Sequence, residues 1–109
     1  MEREKIILLN AVVPPKSDGF VSFRYISTEE AIRLIREAKE VVSYVGHPST
    51  AYVLTQLSGK DIQVNRGEYI PTSGDTAIVV RLKKRLEKPG EAQVTIGDLE
   101  FLLVKYLLC

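Results

Sequence analysis

Ile6-Ile7-Leu8-Leu9 is an unbroken apolar run rich in β-branched residues, which predicts a buried strand. Asn10 to Gly19 then holds two prolines and closes on Ser17-Asp18-Gly19, the chemistry of a loop. Phe20 to Ile26 alternates and is β-prone, so a second strand is expected there. Ser27 and Glu30 have capping-box spacing. Ala31, Leu34, Ile35 and Ala38 follow at helical intervals, leaving Arg33, Arg36, Glu37 and Lys39 on a solvated face. Val41 to Val45 reads as a buried strand that stops at Gly46. Pro48 suits a first helical position, because its missing N–H is not needed there. The helix it opens runs to about Leu57 and ends at Gly59, with Ala51, Leu54 and Leu57 as its apolar face.

Ile62 to Ile70 is β-prone but interrupted by Asn65-Arg66-Gly67, which predicts a bent strand or a hairpin. Thr76 to Leu82 is a central strand. Lys83 to Gly90 is charged and ends in a Pro89-Gly90 turn, and Leu99 to Leu108 favours a last strand. Helices and strands alternate early, then strands dominate. The expected fold is α/β: one domain over 1–109, a mixed sheet of about five strands covered by helices. The strand Val41–Val45 feeds the helix after His47, so His47 falls at the sheet's carboxyl edge, where ligands of open α/β sheets commonly bind.

Composition narrows the function classes. Of 109 residues 45% are apolar, enough for a core, and the formal charge of +1 is not that of a non-specific duplex binder. Lys and Arg cluster only locally, at Arg81, Lys83, Lys84 and Arg85, which favours a small anionic ligand over a long track of phosphates. Cys109 is the sole cysteine; it excludes an internal disulfide and any Cys-based zinc site, and reads as a free thiol or a bridge between chains. Neither a signal peptide nor an apolar stretch of membrane-spanning length is apparent, so an intracellular protein without membrane attachment is expected.

The chemistry converges on Gly46-His47-Pro48-Ser49-Thr50. A helix start presents free N–H groups and a partial positive charge, which suit an anion. Here those donors come with the hydroxyls of Ser49 and Thr50 and the only imidazole of the chain. His47 is the one side chain that ordinarily titrates near neutrality, and so the natural proton donor or acceptor. The positive helix end disfavours an imidazolium, so a general acid there needs a carboxylate or the ligand's own phosphate beside it. Glu87 is one source. The plainer alternative is that His47 and Ser49 simply cap the helix. Arg66 and Arg85 are candidates for gripping phosphate, since guanidinium donates two aligned hydrogen bonds, although each also reads as a surface arginine. No P-loop, dinucleotide fingerprint, nucleophile elbow or carboxylate metal cluster is present. The expected chemistry therefore uses no metal and no cofactor.

These residues also carry a resemblance. Leu9-Asn10-Ala11 after the first strand, Gly46-His47 with Ser49-Thr50, Leu57 with Gly59, Asn65-Arg66 with Glu68, and Arg85-Leu86-Glu87 stand in one order over most of the chain. In that pattern the chain resembles the viral ring nucleases of crenarchaeal viruses, type III anti-CRISPR proteins once known only as a domain of unknown function. The resemblance implies a homodimer that binds cyclic tetra-adenylate and cleaves it to linear di-adenylates ending in 2′,3′-cyclic phosphate. Host CRISPR signalling in the cytoplasm would be silenced in this way. His47 corresponds to the general acid that protonates the 5′-oxygen leaving group, the substrate's 2′-hydroxyl being the nucleophile. Arg85 corresponds to an arginine near the scissile phosphate, with Glu87 as the carboxylate. Asn10, Ala11, Gly46, Ser49, Thr50 and Arg66 correspond to ligand-binding positions. Three departures stand out: Lys88 follows Glu87 where the family commonly has a second acid, Val12-Val13 occupies the stretch of a family serine, and the section before the last strand is shorter.

The dimer has a physical attraction of its own, because a ring of four repeats contains a two-fold axis that a two-fold protein can match. Two other readings remain. One is a non-catalytic DNA-binding regulator using the Arg81–Arg85 cluster; the other is a protein that sequesters the cyclic nucleotide without cutting it.

Overall fold

A strand covered on both faces has no reason to alternate, and this accounts for the unbroken apolar runs. The computed structural model describes residues 5–83 and 95–109. Its strands are β1 (Lys5–Leu9), β2 (Gly19–Ile26), β3 (Glu40–Tyr44), β4 (Thr76–Leu82) and β5 (Leu99–Leu108). The helices are α1 (Thr28–Glu37) and α2 (Pro48–Ser58), with a 3-10 turn at Ile96–Asp98. The five strands form one sheet in the order β2-β5-β4-β1-β3. β1 lies parallel to both β3 and β4, while β5 runs antiparallel to β2 and β4, so the sheet is mixed as expected.

Both helices lie on one face. Ala31, Ile32 and Ile35 of α1 and Ala51 and Leu54 of α2 pack there against Ile6, Leu8, Ile78, Val80, Phe101 and Leu103. The intervening residues Ile7, Leu9, Ala77, Val79, Leu102 and Val104 point the other way, where loops take the place of helices. Tyr69 is the main cover. Its hydroxyl donates to Asp75 Oδ2 at 2.5 Å, and its ring meets those of Tyr44 and Tyr106. Burial, reinforced by that hydrogen bond, drives the Tyr69 hydroxyl far above the ordinary phenol range.

The helix boundaries follow local chemistry. Ser27 Oγ accepts the Glu30 amide hydrogen at 3.1 Å, capping α1. Pro48 opens α2, and Gly59 closes it in the left-handed region at φ 76°. Two expectations change. Leu57 is exposed, and Ser58 turns inward in its place, donating to the Leu54 carbonyl at 2.7 Å. The stretch from Ile62 to Ile70 forms neither a bent strand nor a hairpin; only Val64 pairs, in a single parallel bridge with Val45. β2 forms where alternation predicts it, yet only Ile26 is buried. Its pairing with β5, and not an amphipathic face, holds it in place.

From β3 the chain passes through α2 and over β1 to reach β4. β1 therefore has parallel neighbours reached from opposite directions, and the space beyond its carboxyl end is a topological switch point.

Candidate functional site

The turn after β3 is fixed on both sides of one residue, Gly46. Asn10, immediately past β1, accepts the Gly46 amide hydrogen on Oδ1 at 2.5 Å. Arg66 Nε donates to the Gly46 carbonyl at 3.1 Å. A Cβ at residue 46 would lie 3.4 Å from Arg66 Cγ and 3.6 Å from Asn10 Oδ1, at ordinary contact distance from both. His47 follows as the N-cap of α2, with extended backbone at φ −103° and ψ 119°.

His47 makes no side-chain capping bond. The plain capping role is thus not what holds its imidazole, which stands exposed at the start of the helix. The His47 carbonyl accepts from Ala51 N at 3.0 Å, which begins the helical ladder. Pro48 has no N–H to offer, so the amides of Ser49 and Thr50 are the free donors of the first turn. A cleft of about 200 Å³ opens here, lined by Asn10, His47, Thr50, Val80, Arg81, Leu82 and Leu99. It lies beyond the carboxyl ends of β1 and β4, at the switch point.

The structure brings together part of the predicted set. Asn10, His47 and Thr50 line the cleft, and Gly46 and Arg66 are bonded directly behind His47. Ser49 is half-buried in the same turn without lining the cleft, and Ala11 is exposed in the bend after Asn10. Arg85 and Glu87 lie outside the described residues, as do Lys84, Lys88 and the Pro89-Gly90 turn. Chemically, the arrangement offers amide and hydroxyl donors for an anion, one titratable ring at the rim, and a guanidinium beside it.

Sequence reasoning did not anticipate Arg81 as a cleft residue. Alternation along β4 sends Val80 and Leu82 to the helix face and Arg81 to the other, where its Nε lies 3.8 Å from Glu100 Oε1. Arg81 is thus one member of the basic cluster already paired. Nor did it give Tyr69 any role, or Asn65 one beyond its place in the Asn65-Arg66 pair of the resemblance; both depend on partners distant in the chain. Among the described residues, no group of three or more His, Cys, Asp or Glu is arranged to hold a metal ion. No helix among them is long and apolar enough to cross a membrane.

Comparison with known proteins places the chain in a family. The fold is similar to B116 of Sulfolobus turreted icosahedral virus, with a TM-score of 0.73 over 93% of this chain and 98% of that one, at 20% identity. In sequence the chain is 37% identical over 98 residues to uncharacterized protein ORF117 of Acidianus two-tailed virus, covering 87% of this chain and 83% of that protein. It is 33% identical over 96 residues to uncharacterized protein 26 of Sulfolobus islandicus filamentous virus, covering 86% and 80%. A family model described as STIV B116-like matches residues 6–107, nearly the whole chain, and the protein belongs to that family.

Proposed function

We propose that this protein is a metal-independent ring nuclease, a homodimer that cleaves cyclic tetra-adenylate in the host cytoplasm and so blocks type III CRISPR signalling. The observation that carries the reading is the chain's only imidazole, exposed at a helix start, free of capping duty, and bordering a cleft with Asn10 and Thr50. Kinship with proteins of archaeal viruses supports the biological setting.

In this mechanism a phosphate of the ring sits at the α2 amides, with the guanidinium of Arg66 beside it. The adjacent 2′-oxygen attacks phosphorus and loses its proton to solvent. The bond from phosphorus to the 5′-oxygen breaks, and His47 delivers a proton to that oxygen. No water is consumed; the ends are a 2′,3′-cyclic phosphate and a 5′-hydroxyl. Two such cuts at opposite phosphates give two di-adenylates. The nucleophile belongs to the substrate, which is why neither metal nor protein nucleophile enters the scheme. Arg85 and Glu87 join by resemblance, as phosphate ligand and carboxylate.

The cleft of one chain is small against a four-nucleotide ring. At about 200 Å³ it is smaller than the ~300–1,000 Å³ of typical small-molecule sites, a scale for one phosphate-bearing unit and not a four-nucleotide ring. Two clefts across a two-fold axis would meet opposite phosphates.

The test is incubation of the purified protein with labelled cyclic tetra-adenylate, with and without EDTA, followed by product analysis. Cleavage that survives the chelator is expected, and His47→Ala lowers the single-turnover rate by at least about a hundredfold while binding persists. Binding without cleavage by the native protein would replace the nuclease with a sequestering protein. Loss of activity on EDTA would defeat the metal-free scheme.

A further inference from the structure

The segment from Gln63 to Gly67 runs as a strap alongside residues 43–46. Ser43 Oγ donates to the Gln63 carbonyl at 2.6 Å, and Asn65 N donates to the Val45 carbonyl at 2.9 Å. Val45 and Val64 form the parallel bridge between them. Asn65 also uses its side chain in both directions. Nδ2 donates to the Ser43 carbonyl at 3.0 Å, and Oδ1 accepts from Gly67 N at 2.8 Å. A Cβ at Gly67 would stand 3.0 Å from that Oδ1, so the absence of a side chain lets the turn close.

The residue between these two anchors is Arg66. With its neighbours pinned, its side chain reaches past the end of β3 to the carbonyl of Gly46, the residue before His47. The Nε hydrogen is used there, and the two Nη groups remain as a forked pair for an oxyanion. We propose that Asn65 is a positioning residue for the His47 site, acting through Arg66; in its catalytic consequence this rests on the ring-nuclease reading. The Asn65 side chain is exposed, so its truncation should disturb the aim of Arg66 more than the fold. Its effect on chemistry comes through geometry, and a misplacement of about 1 Å in a positioned group can cost ~100-fold in rate.

Two measurements test this separately. The first needs no substrate: solvent exchange of the Arg66 Nε hydrogen, followed by NMR in the ligand-free protein. Slow exchange is expected in the native protein and about tenfold faster exchange in Asn65→Ala, on the premise that a freed hydrogen bond exposes its donor. Unchanged exchange overturns the proposal whether or not the protein is a nuclease. The second is a double-mutant cycle on single-turnover cleavage of cyclic tetra-adenylate. Asn65→Ala is expected to lower the rate about tenfold beside a native Arg66, and less than about twofold beside Arg66→Ala. Equal losses in both backgrounds would make Asn65 independent of Arg66 and overturn the assignment. Asn65→Ser, which keeps a short hydrogen-bonding side chain, replaces the alanine variant if that one unfolds. A native protein that leaves the ring intact fails the nuclease reading alone, and the exchange measurement still decides the role of Asn65.

Discussion

Asn10 and Gly46 close two different strands, β1 and β3, yet the Asn10 side-chain oxygen accepts the Gly46 amide hydrogen at 2.5 Å. That bond ties the corner beyond β1 to the corner that presents His47. Asn10→Ala leaves a part-buried N–H without its partner, at a cost of about 1–3 kcal/mol. Asn10→Asp keeps an acceptor at the same position but adds negative charge to the cleft. Chemical denaturation should therefore show the alanine variant as the less stable, whereas titration with cyclic tetra-adenylate should show the aspartate variant as the weaker binder. Aspartate matching the native protein in affinity would remove Asn10 from the ligand's surroundings.

Two glycines with positive φ carry different penalties. Gly59 sits at φ 76° with open space around it, so Gly59→Ala incurs only left-handed strain, about 1 kcal/mol. At Gly19 an added Cβ would collide with the Leu107 carbonyl and approach Leu108 Cα to 2.6 Å, where β2 pairs with β5. Those neighbours are backbone and cannot step aside. Melting temperatures should rank native protein above Gly59→Ala, and Gly59→Ala clearly above Gly19→Ala; the reverse order would mean that the β2 start is not paired as described.

Much of this fold is legible because its elements announce themselves locally. Gly46 and Pro48 flank His47 and mark a strand-to-helix corner without any tertiary information, and β4 and β5 occupy their predicted residues. The stretch from Ile62 to Ile70 misleads because β-propensity describes side chains that suit a sheet, not whether a neighbouring strand is available. Asn65 donates to Ser43 of β3 and to Val45 just beyond it, hydrogen bonds that a strand partner would have made, and Tyr69, past the strap, covers the helix-free face. The pairings of Asn10 with Gly46, 36 residues apart, and of Arg66 with Gly46, 20 apart, have no sequence signature. So the position of the candidate site could be read, but not its construction.

The bond between Tyr69 and Asp75 gives the cover of the helix-free face a pH dependence. Burial alone would raise the Asp75 carboxyl, but hydrogen bonds from Tyr69 and Thr72, aided by Lys5, outweigh it and hold the group below the ordinary carboxylate range. A depressed folded value means stabilisation that is complete above the unfolded value, about 3.9, and lost as pH falls through the lower folded value. Tyr69→Phe removes one charge-assisted bond, about 1–2 kcal/mol at neutral pH. The stability gap between native protein and variant should stay constant from pH 7 to about 5 and narrow below about 4. Urea denaturation across that range is the measurement, and a gap that widens in acid would show the linkage to run the other way.

Gly46 tests whether the corner before His47 needs a bare backbone. Its φ is not positive, and an added Cβ would meet only Arg66 Cγ at 3.4 Å and Asn10 Oδ1 at 3.6 Å, both ordinary van der Waals contacts. Gly46→Ala should therefore cost less than about 1 kcal/mol in folding stability. Because neither Asn10 nor Arg66 has to move, single-turnover cleavage should stay within about twofold of the native rate. Thermal melting and cleavage measured on the same preparation supply the comparison. A variant that melts normally but cleaves about tenfold more slowly would show that the proposed chemistry needs glycine at this residue, whereas one that loses stability and activity together would identify Gly46 as a packing residue.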